Sequence, residues 1–380
     1  MDRAGTVATS AWSAPGRVTL VGDHTDHDGG LSLPFALPLR TVVRARPRAD
    51  ATVRATSAVV PGEPVELSRP VARGEVEGWG AYVAGVVRVL THSGVEVPGA
   101  DLRVESAVPP GAGLSSSHAL VLAVAGALAD LAGATLSRED LVELARRVEN
   151  DEVGVPSGVL DQLAILSARR DRLVLVDAAE DAPARTSLVA CDPVGADLVI
   201  LVVDTGAPHD LGDGRYAEIR ADLDRVRGRL GVGSLRRFAD RLGPERALEE
   251  LADLGVGARE AGRSRHVITE NARVAEAVRR CRAGDLAGVG PVMSASHVSM
   301  RDDLGNSHPV VDLTVDTLVS AGALGARMSG GGFGGAVVAL LARERVGEAE
   351  SRLTEAYAAA GLAPPGCHRV TPADGAGPVD

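Results

Sequence analysis

Residues 101–133, DLRVESAVPPGAGLSSSHALVLAVAGALADLAG, predict a strand, a loop rich in proline and glycine, and a long apolar helix in direct succession. Gly111 and Gly113 allow the loop to turn tightly, and the serines 115–117 stand where the helix begins. Unpaired N–H groups and the positive end of the helix dipole favour an anion such as phosphate there. The alternative is that the serines only cap the helix, for which one serine is enough. Three serines after such a loop favour the phosphate.

At 380 residues the chain is too long for one small core. We therefore predict two α+β domains, residues 1–185 and 186–380; the pattern alone does not separate antiparallel from mixed sheets. Short β-branched runs between turn residues predict strands in residues 14–60. The charged stretch of residues 214–286 predicts several amphipathic helices. The last ten residues are polar, contain glycine and proline, and are expected to be frayed.

The charge of the chain excludes several functions. Its formal net charge at pH 7 is −11, which argues against general binding to nucleic acid or acidic membranes, because both need clustered positive charge. The sequence contains no lysine. This excludes a P-loop GK[ST], the strand lysine of protein kinases and a Schiff-base lysine for pyridoxal phosphate. Phosphate binding must then rely on backbone amides, hydroxyls, arginine and a metal ion.

We expect a cytoplasmic protein with no nucleic-acid or membrane partner. The longest apolar runs, such as residues 336–342, are far too short to cross a bilayer. The first 16 residues lack the hydrophobic core of an export signal. Cys191, Cys281 and Cys367 are odd in number and widely spaced, which fits a reducing compartment. The sequence does not fix an oligomeric state, and a monomer is compatible with it.

Residues 16–30, GRVTLVGDHTDHDGG, concentrate aspartate and histidine before paired glycines. The stretch does not match an EF-hand calcium loop starting at Asp26, because Leu31 and Leu37 occupy the positions that require glycine and glutamate. A zinc site on the two histidines has no cysteine partner and no HExxH context. What remains is a set of short polar side chains suited to hydrogen-bonding the hydroxyls of a polyhydroxylated ligand.

Two further stretches carry chemistry-bearing residues. In VENDEVGVPSGVLDQLAIL, residues 148–166, Glu149 and Asp161 stand in an otherwise apolar context. A carboxylate such as Asp161 among buried residues must be paired or must perform chemistry, and a structural ion pair is an equal alternative. GARMSGGGFGG, residues 325–335, has glycines whose conformational freedom suggests close approach of the backbone to a ligand.

The three glycine-rich elements, in this order, resemble those of the GHMP small-molecule kinases. GRVTLVGDHTDHDGGLSLPFAL narrows the likeness to the galactokinase family, whose signature is GR-x-N-[LI]-x-G-E-H-T-D-Y-x-G-G-x-x-[LF]-P. GAGLSSSHAL is similar to the nucleotide motif G-x-G-L-S-S-S-A, and RMSGGGFGGAVVAL is similar to the third motif. Shorter likenesses are GWGAYVAGV, PSGVLDQ and MRDDLGNSHPVVD. The resemblance covers about residues 12–342.

The resemblance implies the two-domain α+β architecture of GHMP kinases, with mixed sheets and the active site in the cleft between the domains. It implies that Asp161 accepts or orients the proton of a sugar C1 hydroxyl, and that Arg17 stabilises that oxygen and the phosphoryl group. ATP and Mg²⁺ are the implied cofactors, and a small sugar is the implied partner. Ser117, as one of the serine hydroxyls, and Glu149 would bind the Mg²⁺.

The remaining implied site residues fall into two groups. Those for ATP are Gly111, Gly113, Ser115, Ser116 and Ser117 at the phosphates, with Trp79 and Tyr82 beside the adenine. Those for the sugar hydroxyls are Asp23, His24, Asp26 and Tyr216. Gly332 and its neighbours would close the site from the second domain.

The chain departs from the family pattern at several positions. Thr19 replaces asparagine, Asp23 replaces glutamate, His27 replaces tyrosine, Ser157 replaces a common cysteine and His118 replaces alanine. The first three bear on the choice of sugar, and we expect His118 to face outward without consequence.

The function implied is ATP-dependent phosphorylation of the anomeric hydroxyl of galactose to galactose 1-phosphate. One alternative is a kinase for a related sugar, such as an amino hexose, a uronic acid or arabinose. Another is a non-catalytic sensor that binds ATP and a sugar, which the intact Asp161, Arg17, Glu149 and serines oppose. A dinucleotide-dependent oxidoreductase is a third alternative, which the sequence opposes because it has no G-x-G-x-x-G after a first strand.

Overall fold

Three sheets and the helices packed on them form the described part of the chain. The structure, a computed structural model, describes residues 9–155, 157–179, 183–207 and 214–379. Of the motifs quoted above, Pro156 of PSGVLDQ lies outside the described residues. The strands are β1 (Ser10–Thr19), β2 (Leu31–Ser32), β3 (Pro34–Pro47), β4 (Val53–Ser57), β5 (Val65–Leu67), β6 (Ala100–Ser106), β7 (Arg172–Asp177), β8 (Arg185–Ala190), β9 (Leu198–Asp204), β10 (Gly325–Ser329), β11 (Ala336–Ala342), β12 (Gly366–Val370) and β13 (Gly377–Pro378).

The largest sheet is mixed, as predicted. Its strand order is β13-β1-β3-β6-β4-β5, in which β4 and β6 are parallel and the other neighbours are antiparallel. A second sheet has the order β10-β11-β9-β12, and a third has the order β2-β7-β8. The second sheet consists of antiparallel neighbours, and its β10–β11 connection carries the glycines at 330–335.

Helices cover these sheets and connect their strands. They are α1 (Trp79–His92), α2 (Ser116–Leu131), α3 (Arg138–Arg147), α4 (Leu160–Ser167), α5 (Arg215–Leu230), α6 (Leu235–Leu242), α7 (Pro244–Asp253), α8 (Ala258–Arg282), α9 (Val289–Ser299), α10 (Pro309–Ser320) and α11 (Val346–Ala359). Single π-helical turns, Val148–Val153 and Met300–Leu304, follow α3 and α9, and short 3₁₀ turns lie at Asp26–Asp28 and Arg343–Arg345. Among the described helices, none combines the length and apolar character that a membrane span needs.

Helix α2 is buried because its residues are small and apolar on every face. It packs on β1 and β3, and a Cβ atom at Gly126 would come within 2.2 Å of the Trp12 indole. The Trp12 Nε1 donates to Asp130 Oδ2 at 2.5 Å. The missing side chain at Gly126 therefore allows the helix to lie directly on the sheet.

The two halves of the chain share one hydrophobic cluster. It joins Val18 and Leu122 from the first half to Ile200 and Val338 from the second. The boundary that we propose, between residues 185 and 186, falls at the start of β8, which pairs with β7. A break after β8 would keep that sheet in one unit.

Residues 371–379 contact the rest of the chain, whereas the composition suggests a frayed tail. Strand β13 pairs with β1, and Val379 N donates to the Ala11 carbonyl at 2.9 Å. Further inward, the Asp374 carbonyl accepts from Arg40, and its carboxylate accepts from the Arg170 backbone. The tail extends the sheet edge, and its polar groups gain partners that composition alone does not reveal.

Candidate active site

A cavity of about 290 Å³ opens where loops from both halves of the chain meet. Three segments form much of it: the Asp/His loop (residues 22–31), the serine loop (residues 109–117) and the third glycine loop (residues 329–335). The predicted residues that line it are Arg17, Asp23, His24, Asp26, Tyr82, Gly111, Gly113, Ser115, Ser116, Ser117, Glu149, Asp161 and Tyr216. Residues that are 200 positions apart in sequence thus face one space.

Arg17 and Asp161 form a two-pronged ion pair in the cavity wall. Arg17 Nε donates to Asp161 Oδ1 at 2.6 Å, and Arg17 Nη2 donates to Asp161 Oδ2 at 2.7 Å. The third arm, Nη1, donates to the Gly113 carbonyl at 2.8 Å. Planar guanidinium groups match carboxylates in this geometry, which fixes orientation as well as distance. Arg17 thereby ties the serine loop to the start of α4.

A β-bulge brings Arg17 to this place. The register between β1 and β3 shifts between Pro15 and Arg17, and the Arg17 N–H donates to the Leu114 carbonyl instead of to β3. A Cβ atom at Gly16 would lie 2.7 Å from that same oxygen. Glycine at 16 therefore permits the strand to touch the serine loop, and the bulge re-aims the next side chain.

The Asp161 carboxyl remains ionised although it is buried. Burial raises its pKa, but the charges of Arg17 and His118 and the hydrogen bonds from Arg17 and Ser115 lower the pKa to about 2. Among the described residues, Oδ2 is close to Arg17, Ser115 and His118, whereas Oδ1 accepts only from Arg17. Oδ1 is therefore the oxygen that retains a free lone pair.

The N-terminus of α2 is open rather than capped. Ser115 has a left-handed backbone with φ of 58°, and its hydroxyl donates to Asp161 instead of accepting from the helix. The first helical bond runs from Ala119 N to the Ser115 carbonyl. The N–H groups of Ser116 and Ser117 thus keep no intrahelical acceptor. This geometry favours the anion-binding interpretation over simple capping.

The third glycine loop lies against the serine loop. A Cβ atom at Gly330 would come within 3.1 Å of the Gly113 carbonyl, and one at Gly335 within 3.2 Å of the Ala112 carbonyl. Both glycines have positive φ, 94° and 86°. Larger residues would therefore push the two loops apart.

Glu149 lies on the π-helical turn after α3 and is 2% exposed. Its Oε1 has no hydrogen-bond partner within the described part of the protein. The nearest polar atom that the ion-pair geometry gives is His118 Nδ1, at 3.5 Å. His118 is buried and lines the cavity, so the expectation that it faces outward was wrong. Helical periodicity does not reveal this, because the residues that surround His118 come from segments far away in the sequence.

The Asp/His loop presents polar groups that differ in charge. Burial and the neighbouring imidazoles of His27 and His266 lower the pKa of His24 to about 3, so its ring is neutral. Burial opposes the ionised form of Asp26, but contacts with His27 and His24 lower the pKa of this carboxyl below its usual range. The Tyr216 ring lies 5.1 Å from the His24 ring, and burial raises the pKa of this phenol.

Asp23 lines the cavity but shares its carboxylate with a buried arginine. Arg327, on β10, donates to Asp23 Oδ2 at 2.8 Å and to the Thr19 carbonyl at the same distance, and it is fully buried. The Gly330 N–H donates to the same Oδ2. Sequence reasoning missed Arg327, although it is the only charged residue of the third motif, RMSGGGFGGAVVAL, which is a usable signal.

Two of the residues expected to govern specificity do not line the cavity. Among the described residues, Thr19 and His27 are absent from its lining. The Thr19 N–H instead donates to Ser329 Oγ at 2.8 Å. His27 Nδ1 lies 3.5 Å from Asp26 Oδ1. Their influence on a ligand therefore passes through the residues that they contact.

Helix α8 holds the Asp/His loop from behind, and sequence reasoning missed this support. Glu270 accepts from the Gly22 N–H at 2.8 Å, and Asn271 Oδ1 accepts from the Leu31 N–H at 2.7 Å. His266 Nε2 lies 3.1 Å from the Asp23 carbonyl oxygen. Burial opposes ionisation of Glu270, but the charges of His266, Arg327 and Arg273 lower its pKa to about 2.

An apolar pocket adjoins the cavity at the open end of α2. It holds Trp79 and Tyr82 together with Val104, Val108 and Leu120. Ser116 and Ser117 line both spaces. The pair of sites is suited to a ligand with a flat apolar part and an anionic part. Trp79 lines this pocket and is not part of the lining of the main cavity.

Family comparisons agree with this arrangement. The GHMP kinases N terminal domain matches residues 81–169, the galactokinase galactose-binding signature matches residues 2–47, and the GHMP kinases C terminal region matches residues 274–359. A galactokinase of Mycobacterium bovis is 41% identical over 370 residues, covering 97% of this chain and 99% of that protein. A galactokinase of Streptomyces coelicolor is 39% identical, covering 96% of this chain and 93% of that protein.

This chain belongs to the galactokinase family. Lactococcus lactis galactokinase complexed with galactose superposes with a TM-score of 0.90 at 30% identity, covering 98% of this chain and 96% of that one. Methanococcus jannaschii mevalonate kinase, at 14% identity and a TM-score of 0.69 over 98% of this chain, shares the fold. The predicted two-domain GHMP-kinase α+β fold is thus confirmed.

In this galactokinase-family chain, Glu270→Gln is expected to lower the free energy of unfolding by about 3 kcal/mol, because an amide nitrogen would face donors and Arg273 would lose its charge partner. Amide exchange at residues 22–31, followed by mass spectrometry, should accelerate. The folded pKa lies below the usual 4.5, so the advantage of the wild type is present above pH 4.5 and shrinks as the pH falls towards 2.

The matched control is Glu276→Gln, on the same helix, where the carboxylate pairs with Arg279 and Arg280 near the surface. It should cost less than about 1 kcal/mol. Equal exchange rates at residues 22–31 in wild type and Glu270→Gln would contradict the role of α8.

Proposed function

We propose that this protein transfers the γ-phosphoryl group of ATP to the anomeric hydroxyl of galactose, giving galactose 1-phosphate. The observation that carries the proposal is the position of the Arg17–Asp161 pair. It lies between the open N-terminus of α2 and the polar Asp/His loop. The galactose complex of the L. lactis relative supports the sugar, and the kinase family supports ATP.

The nucleotide would bind along the serine loop. The N–H groups of Ser116 and Ser117 and the positive end of α2 suit the phosphates, while Gly111 and Gly113 let the backbone approach them. The apolar pocket with Trp79 suits the adenine. The whole phosphate site then works without lysine.

Asp161 would orient the sugar hydroxyl through its free Oδ1. A carboxyl with a pKa of about 2 is a weak base, so it holds the hydroxyl proton by a hydrogen bond and takes it up late, as the new O–P bond forms. Phosphoryl transfer is largely loose, and positioning with charge stabilisation accounts for most of its catalysis. Arg17 would supply positive charge to the transferring group.

The sugar would be recognised by a mixture of acceptors and donors. Asp26 is an obligate acceptor, the neutral His24 ring offers Nδ1 because its Nε2 already contacts the Gly331 carbonyl, and Tyr216 offers both a donor and an acceptor. His24 Nδ1 is buried and has no hydrogen-bond partner among the residues that the structure describes. Such a set would leave a sugar's buried hydroxyls satisfied only when their positions match.

Glu149 and Ser117 fit a magnesium ion. The buried Glu149 Oε1 lacks a hydrogen-bond partner among the described residues, and both side chains offer the oxygen ligands that Mg²⁺ prefers. No cluster of three or more His, Cys, Asp or Glu side chains suited to a metal occurs in the described ranges, so phosphates and water would complete the shell. When bound, the ion neutralises phosphate charge.

We also propose a cytoplasmic location. Cys191, Cys281 and Cys367 are free thiols in the structure. Unpaired cysteines are typical of a reducing compartment.

The proposed substrate predicts the ranking of a sugar panel. With ADP release as readout, galactose should give a kcat/KM at least about tenfold above that of galactosamine, galacturonic acid, arabinose and glucose, because each alters a group that the Asp/His loop meets. A higher kcat/KM for another sugar would overturn galactose as the substrate. Binding of ATP and galactose without turnover would indicate the sensor instead.

The proposed metal site predicts a specific magnesium defect. Glu149→Gln should raise the Mg²⁺ concentration for half-maximal activity by about tenfold or more, since a charged ligand is lost. Glu152→Gln is the matched control, because Glu152 lies on the same π-helical turn but pairs with Arg88. An unchanged Mg²⁺ requirement in Glu149→Gln would refute the site.

A further inference from the structure

His118 is the cavity residue that the family motif does not account for, since that motif has alanine at this position. The side chain stands in the first turn of α2 and is 4% exposed. Its Nδ1 lies 3.3 Å from Asp161 Oδ2 and 3.5 Å from Glu149 Oε1. One ring nitrogen therefore lies between the two carboxylates to which different tasks are assigned above.

The two carboxylates are unequally supplied with donors. Arg17 holds both oxygens of Asp161, and the Ser115 hydroxyl also donates to Oδ2. Glu149 Oε1 is buried and has no hydrogen-bond partner in the described part of the chain. Nδ1 of an imidazole carries at most one N–H to donate. The His118 imidazole can therefore donate a full hydrogen bond to one carboxylate only by turning away from the other.

We propose that His118 is a positioning residue that couples nucleotide binding to sugar binding. With the nucleotide site empty, its Nδ1 lies within 3.5 Å of both carboxylates and is attracted by both charges. Once Glu149 takes part in binding magnesium and nucleotide, it no longer attracts the imidazole, and the Nδ1–H donates its hydrogen bond to Asp161 Oδ2. This fixes the carboxylate with Oδ1 towards the sugar hydroxyl. The inference rests on the proposed function.

The surroundings of His118 favour coupling over packing alone. A hydrocarbon side chain would fill the same space, yet His118 presents a polar edge to two buried carboxylates, and its Nε2 has no hydrogen-bond partner among the described residues. Ser117, the adjoining residue, lines both the cavity and the apolar pocket. A ligand at the end of α2 therefore touches the turn that carries the imidazole.

The test is a thermodynamic cycle of binding constants measured by calorimetry. The Kd of galactose is measured with and without saturating Mg²⁺ and a non-hydrolysable ATP analogue, and the ratio is the coupling factor. In wild type, galactose should bind about tenfold more tightly with the nucleotide present. In His118→Ala the factor should fall to about one, because the shared donor is gone.

Two further variants locate the effect on one nitrogen. His118→Asn can place its amide nitrogen near the position of Nδ1 and should retain most of the coupling. His118→Gln reaches towards the position of Nε2 and should lose it. His92→Ala is the matched control, because His92 is exposed at the end of α1, and it should give the wild-type factor.

Each outcome bears on one proposal. Wild-type coupling in His118→Ala, equal coupling in the Asn and Gln variants, or no coupling in wild type with both ligands bound would each overturn the role of His118. A lower Tm in His118→Ala with coupling intact would make the residue a packing residue and would likewise overturn the inference. Failure of galactose or nucleotide to bind to wild type would instead overturn the proposed function.

Discussion

The three-armed guanidinium of Arg17 is the interaction on which the site depends. It joins β1, the serine loop and α4 through Gly113 and Asp161, so losing it would release three segments together. Removing one partner of a buried ion pair leaves an uncompensated charge, at a cost of about 3–5 kcal/mol. The same bonds keep Asp161 ionised through neutral pH, since the stabilisation is lost only as pH falls below the usual 3.8 towards 2.

A second buried pair holds the site from the other half of the chain. Arg327 joins Asp23 to β10, and α8 fixes the backbone of the Asp/His loop through Glu270 and Asn271. The shared hydrophobic cluster keeps the two halves in register. The groups that face the ligand are therefore held by buried charges behind them, which limits the motion of short side chains such as Asp23.

Sequence patterns predicted the parts of the site that short local motifs encode. The strand, loop and apolar helix of residues 101–133 appear as expected, because each signal lies within a few residues of the feature it sets. Arg327, Glu270 and the inward position of His118 were not predicted, since their partners lie far away in sequence. The C-terminal tail joined a sheet edge for the same reason, as its partner is β1. Thr19 and His27 do not line the cavity among the described residues, so we expect any effect on the ligand to act through Ser329 and Asp26, which they contact.

The most direct test of this account is a double-mutant cycle on Arg17 and Asp161, read as kcat with galactose and ATP. Arg17→Gln and Asp161→Asn should each lower kcat about a thousandfold, and the double variant should be no more than about tenfold slower than the slower single variant, because the two residues act as one unit. Circular dichroism would establish that each variant is folded. Additive losses, near a millionfold in the double variant, would contradict the account.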